Sequence, residues 1–122
     1  IHGHNYKLFV TVIGSPKSDS SNVKFGMVMD FDDLKKIVKA EIIKEFDHSV
    51  IFNKNSPHKK LADDLIKNGH KVVLADYQPT IEEMIIDFAN KISSKLPSEI
   101  KLHSLKLEET ETSYSEWFAA DN

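Results

Sequence analysis

The chain has 122 residues, 40% of them hydrophobic, with 16 basic and 19 acidic groups and a formal net charge of −3. That length suits one domain with a real core, only marginally stable alone and helped by oligomerisation. The near balance of charge leaves no field for nucleic acid or an anionic membrane, and the lack of cysteine excludes disulfides, thiolate metal sites and a cysteine nucleophile from these residues.

Residues 4–13 (HNYKLFVTVI) are β-branched and aromatic, which predicts a strand buried on both faces. Residues 14–22 (GSPKSDSSN) have turn chemistry, and residues 23–29 read as a second strand, so the two form a hairpin with a long polar tip. Asp30 is a suitable N-cap for a helix over residues 31–46. Its apolar stripe is Phe31, Leu34, Val38, Ile42 and Phe46, with Lys35, Lys36, Lys39 and Lys44 opposite. Asp47-His48-Ser49 follows its end. HKKLADDLIKNG predicts a short helix stopped by Gly69, and residues 72–75 a short edge strand. Thr80 and Glu83 form a capping box for a second long helix with Ile81, Ile85, Phe88, Ala89, Ile92 and Leu96 on one side, ended by Pro97. Residues 100–109 and 113–119 alternate as two closing strands. The order predicts an α+β domain, residues 1–122, whose antiparallel sheet is covered by helices on one face. The other sheet face is also apolar at Tyr6, Leu8, Val10 and Val12 or at their alternates, a reason to expect subunits to associate. No apolar run approaches the ~20 residues of a membrane span, and no signal peptide is visible. Those features and the absence of cysteine suit a cytoplasmic protein.

His2 and His4 are two apart on a strand, so their side chains leave the same face and suit a shared metal with Zn–N distances of about 2.0–2.1 Å. A catalytic zinc takes three protein ligands, so one is missing from this pair, and two ordinary histidines near a chain end fit the spacing as well. At the helix exit, Asp47 is placed to orient and polarise His48 for proton transfer, although Asp and His are also common helix-exit residues. Glu109 is predicted to share a strand face with Leu107, Leu105 and His103. A carboxylate there needs a partner and can accept two N–H bonds from a guanidine-like edge, unless it is solvated at the strand end. Thr80 is explained as a cap and Glu82 as a first-turn carboxylate favoured by the helix dipole. His58, His70 and His103 have no partner at suggestive spacing.

Taken in order, His2-Gly3-His4-Asn5-Tyr6, the segment from Gly26 to Phe31 (GMVMDF), Asp47-His48, Pro79-Thr80-x-Glu82 and Glu109-Thr110 resemble the 6-pyruvoyl-tetrahydropterin synthase family and its queuosine-pathway relatives, the carboxytetrahydropterin synthases. The resemblance runs from His2 to about Trp117. It implies a T-fold, a four-stranded antiparallel sheet with two main helices on one face, and a homohexamer built as a dimer of trimers. It implies a Zn2+ site of three histidines, two of them His2 and His4, with the third ligand and the N-terminal strand that carries it upstream of Ile1. It implies 7,8-dihydroneopterin triphosphate as substrate, proton transfer by a group containing Asp47 and His48, and a pterin ring held by Glu109 in a pocket near Thr80 and Glu82. The resemblance implies a carbon–oxygen lyase forming 6-pyruvoyl-tetrahydropterin with loss of triphosphate. Three alternatives stand beside it: retro-aldol cleavage to 6-hydroxymethyl-7,8-dihydropterin for folate synthesis, a carboxytetrahydropterin synthase, and an inactive pterin-binding homologue.

Overall fold

The structure is a computed structural model of residues 1–122. Its main sheet has three antiparallel strands in the order β1 (Lys7–Ile13), β4 (Lys101–Thr110), β5 (Ser113–Phe118). A second, two-stranded sheet pairs β2 (Val50–Asn53) with β3 (Val72–Ala75) in parallel. Parallel strands need a long crossover, here supplied by helix α3 (Lys59–Lys67). Gly69 at φ 84° ends that helix, a left-handed position that suits glycine.

Asp30 caps helix α1 (Phe31–Val38), its carboxylate accepting from the Asp32 N–H at 2.9 Å. The helix continues through a π turn (Lys39–Ile43), where the Lys44 N–H reaches back to the Lys39 carbonyl, and closes as α2 (Lys44–Phe46). Thr80 caps α4 (Ile81–Ser93) by accepting from the Glu83 N–H at 3.3 Å. Only half of the predicted capping box forms, because the Thr80 N–H is bound to the Gln78 carbonyl instead. The core joins Ile81, Met84, Ile85, Phe88, Ala89 and Ile92 of α4 to Leu102, Leu105 and Leu107 of β4 and to Ile42 of the π turn. Burying each large apolar side chain contributes about 1.5–3 kcal/mol, so α4 is the main support of the sheet.

The fold class is the expected α+β, with four differences from the sequence reading. The antiparallel sheet has three strands, not four. Residues 23–29 are turns rather than a strand, because Gly26 at φ 83° and the Lys24 and Phe25 N–H bonds to Asn22 fold the segment on itself. It meets Lys17 of the preceding segment through two backbone bonds, to Met27 and Gly26, and through the Lys17 ammonium, which donates to the Val28 carbonyl at 3.3 Å. Strand β2 was not expected, although Val50-Ile51-Phe52 carries the β-branched and aromatic signal. Finally, β1 is not buried on both faces: Leu8, Val10 and Val12 pack on the core, while Lys7, Phe9, Thr11 and Ile13 are exposed.

Strand β4 carries two irregularities. Thr11 faces Ser104 and Val12 faces Leu102, so His103 is an extra residue; Glu108 faces Tyr114 and Thr110 faces Ser113, so Glu109 has no partner on β5. Such bulges re-aim side chains. His103 does not join the leucine face: it is exposed, with its ring edge-on to Phe118 at 6.3 Å.

Candidate functional site

His2, His4 and Tyr6 lie at alternate positions before β1. The His2 and His4 rings are nearly parallel, 18° apart with centroids 6.4 Å apart, and the Tyr6 ring stands edge-on to His4 at 6.1 Å. Because Lys7 pairs with Glu108, Glu109 falls level with the residues just before β1. The His4 Nε2 lies 3.3 Å from the Glu109 Oε1, and both side chains are about a third exposed. Burial, and after it the charge of Glu109, holds the Tyr6 phenol above its ordinary range.

The donor chemistry here fits a metal in part. Zinc-binding histidines commonly hold a carboxylate with the ring nitrogen that does not face the metal, and the His4–Glu109 contact supplies such a partner. His2 is exposed, so its ring is free to turn toward His4. No group of three His, Cys, Asp or Glu side chains of the chain stands close enough to enclose an ion; His2 and His4 make two donors of the usual three.

Asp47 and His48 lie at the end of α2. The Asp47 Oδ1 is 3.0 Å from the His48 Nδ1, with the His48 side chain 91% and that of Asp47 59% exposed. The Ser49 N–H bonds the Phe46 carbonyl at 3.2 Å. With Asp47 at φ −64°, ψ 130° and His48 at φ 57°, residues 46–49 form a type II β-turn. Its third position needs a positive φ and is normally glycine or asparagine; a histidine there is strained, as residues at working sites often are. The Lys71 ammonium donates to the Lys44 carbonyl at 2.7 Å and to the Asp47 carbonyl at 2.6 Å. A cavity of ≈ 390 Å³ opens beside Asp47, bordered by Lys36, Lys39, Lys44 and Lys71.

Thr80 and Glu82 sit at the N-terminus of α4, next to β5, where the Ser115 hydroxyl bonds the Ile81 carbonyl at 3.1 Å. Glu82 borders a second cavity of ≈ 260 Å³ with Ser115, Trp117 and Asn122. The structure therefore brings His2, His4 and Glu109 together. No hydrogen bond or ion pair joins Asp47, His48, Thr80 or Glu82 to that group.

The model of the family described as 6-pyruvoyl tetrahydropterin synthase matches residues 1–119. The chain belongs to the 6-pyruvoyl tetrahydropterin synthase family. Among individual relatives of this synthase family, a Haemophilus influenzae protein named 6-carboxy-5,6,7,8-tetrahydropterin synthase is 35% identical over 118 residues, covering 96% of this chain and 81% of that one. An Aquifex aeolicus protein of the same name is 34% identical over 124 residues, covering 96% and 73%. The crystal structure of an uncharacterized protein from Wolinella succinogenes shares the fold, with a TM-score of 0.73 at 22% identity over 97% of this chain and 78% of that one.

Two residues of this synthase-family chain that border the candidate site were given no site role from sequence. Tyr6 continues the alternation of His2 and His4, and that i, i+2 spacing was the available signal. Lys71 had none, because its contacts are 24 and 27 residues away.

Proposed function

We propose that this chain is a zinc-dependent lyase acting on 7,8-dihydroneopterin triphosphate, with 6-carboxy-5,6,7,8-tetrahydropterin as product. The observation that carries the reading is the name shared by relatives aligned over nearly the whole chain. It moves the carboxytetrahydropterin alternative ahead of the 6-pyruvoyl product that the motifs first suggest. The 6-pyruvoyl reading is kept second, on the description of the family model.

In this reading His2 and His4 hold the zinc together with a histidine from outside residues 1–122. Bound there, the metal supplies Lewis acidity toward the side-chain hydroxyls of the substrate. Glu109 has one oxygen turned to His4, leaving the other free to accept an N–H from the guanidine-like edge of the pterin. His48 moves protons, and Asp47, bonded to its Nδ1, orients the ring and balances its charge in the protonated form. Lys36, Lys39 and Lys44 around the cavity beside Asp47 suit a triphosphate tail, while the Lys71 ammonium is taken up by the Lys44 and Asp47 carbonyls. Thr80 and Glu82 line the pterin pocket. The separation of these groups on one chain is compatible with a site completed between subunits of a homohexamer, and the exposed Phe9, Ile13, Tyr114 and Phe118 on the outer sheet face are suited to burial there.

The test is mass spectrometry of the product formed from 7,8-dihydroneopterin triphosphate. A carboxytetrahydropterin is expected; a 6-pyruvoyl product selects the second reading; a 6-hydroxymethyl product, or no turnover by the zinc-loaded protein, overturns both.

A further inference from the structure

We infer that Lys71 is a positioning residue for His48: its ammonium selects the peptide orientation that presents the imidazole. The inference rests on the proposed catalytic role of the Asp47–His48 pair for its kinetic consequence, and on geometry alone for its conformational one.

The last carbonyls of a helix have no partner within it, and a cation at that end is favoured. Lys71 satisfies one of them, Lys44 at 2.7 Å, and also the Asp47 carbonyl just past the helix at 2.6 Å. The second bond matters most, because the Asp47 carbonyl belongs to the central peptide of the 46–49 turn. Type I and type II turns share their outer residues and differ by a flip of that central peptide. In type II the third residue has positive φ, and in type I it has φ near −90°. A histidine at this position favours type I on steric grounds. The observed turn has ψ 130° at Asp47 and φ 57° at His48, which is the orientation that turns the Asp47 carbonyl to Lys71. The lysine is itself fixed: its carbonyl accepts the Val50 N–H at 3.0 Å, and Val72 next to it pairs with Val50 at the start of the parallel ladder. Its backbone is thus tied to the chain two residues after His48. Without the ammonium, the peptide flips, the His48 φ becomes negative and the imidazole leaves its present direction.

The experiment compares the full chain, loaded with zinc, as wild type, Lys71→Met, Lys71→Arg and His48→Ala, with 7,8-dihydroneopterin triphosphate as substrate. Lys71→Met is expected to lower kcat at least tenfold with KM within twofold and zinc content unchanged, and its crystal structure to show the Asp47–His48 peptide flipped. Lys71→Arg, which keeps a donating cation, restores most of kcat and covers the case in which the Met variant does not fold, since an Arg variant with a flipped peptide or KM-only loss overturns the inference. An unflipped peptide in Lys71→Met, or a loss of thermal stability with kcat unchanged, also overturns it. If His48→Ala turns over normally, the catalytic reading of the pair fails, and the peptide orientation in Lys71→Met alone decides the conformational inference.

Discussion

Replacing His48 by glycine should make the protein more stable and inactive. A non-glycine residue in the left-handed region costs roughly 1–2 kcal/mol, and His48 sits there at φ 57°. Glycine removes that strain but adds backbone freedom to the unfolded chain, a cost of about 0.5–1 kcal/mol. Little else is lost, because the side chain is 91% exposed and its one ion pair, to Asp47, lies in solvent where such pairs contribute near zero. The net is a gain of about 0.5–1 kcal/mol. For a domain of this size that raises Tm by about 2–4 °C. His48→Ala keeps the strained backbone and should leave Tm within about 1 °C of wild type. Differential scanning calorimetry of the three proteins, with turnover measured on the same samples, checks both halves. A fall in Tm for His48→Gly, or equal values for Gly and Ala, would refute the claim that the turn is strained. Full activity of either variant would refute the role of the imidazole.

Three further outcomes follow from the geometry. His4→Ala should lower zinc content measured by metal analysis at least tenfold, since losing a ligand also frees its carboxylate partner; unchanged stoichiometry would remove His4 from the metal site. Glu109→Gln exchanges charge-assisted hydrogen bonds for neutral ones, a difference of about 1–2 kcal/mol, so pterin affinity should fall roughly 5- to 30-fold by calorimetric titration, and unchanged affinity rules out ring anchoring. Tyr77 donates to Asp87 at 2.6 Å, and burial, then that bond, holds its phenol far above the ordinary range. A raised folded-state value means its contribution is fully present below about pH 10, the unfolded value, and is lost as pH rises beyond it. Denaturant titrations should therefore show stability falling above pH 10, with a shallower slope for Tyr77→Phe; an identical slope would exclude Tyr77 as the cause.

Much of the fold was legible because it rests on local chemistry. Asp30 and Thr80 cap the helices that follow them, and the periodic stripe of α4 forms the core. What was not legible depended on distant partners. The parallel pairing of Val50–Asn53 with Val72–Ala75 is set by the α3 crossover rather than by either segment. Residues 23–29 have strand composition, but Asn22 and Gly26 impose turns on them. In the candidate site, the i, i+2 spacing of His2 and His4 was readable, whereas the approach of Glu109 to His4 needed the β1–β4 register. The pairing of Asp47 with His48 was readable from adjacency, but the positive φ of His48 was not, since nothing in its residue type demands it.

The extra residue at His103 has an effect well beyond its own position. Side chains along a strand keep a two-residue phase, and Leu102 and Leu105, three apart, are both buried only because His103 resets that phase. Every residue from Leu105 to Glu109 inherits the new setting. With His103 drawn into a regular ladder, Leu105, Leu107 and Glu109 would all emerge on the opposite face and Glu109 would be lost to His4. Deleting His103 outright leaves the phase of Glu109 intact, whereas inserting one residue between Leu105 and Glu109 reverses it. Holding this extra residue outside the ladder, rather than within it, thus keeps Glu109 on the side of the sheet where His4 lies.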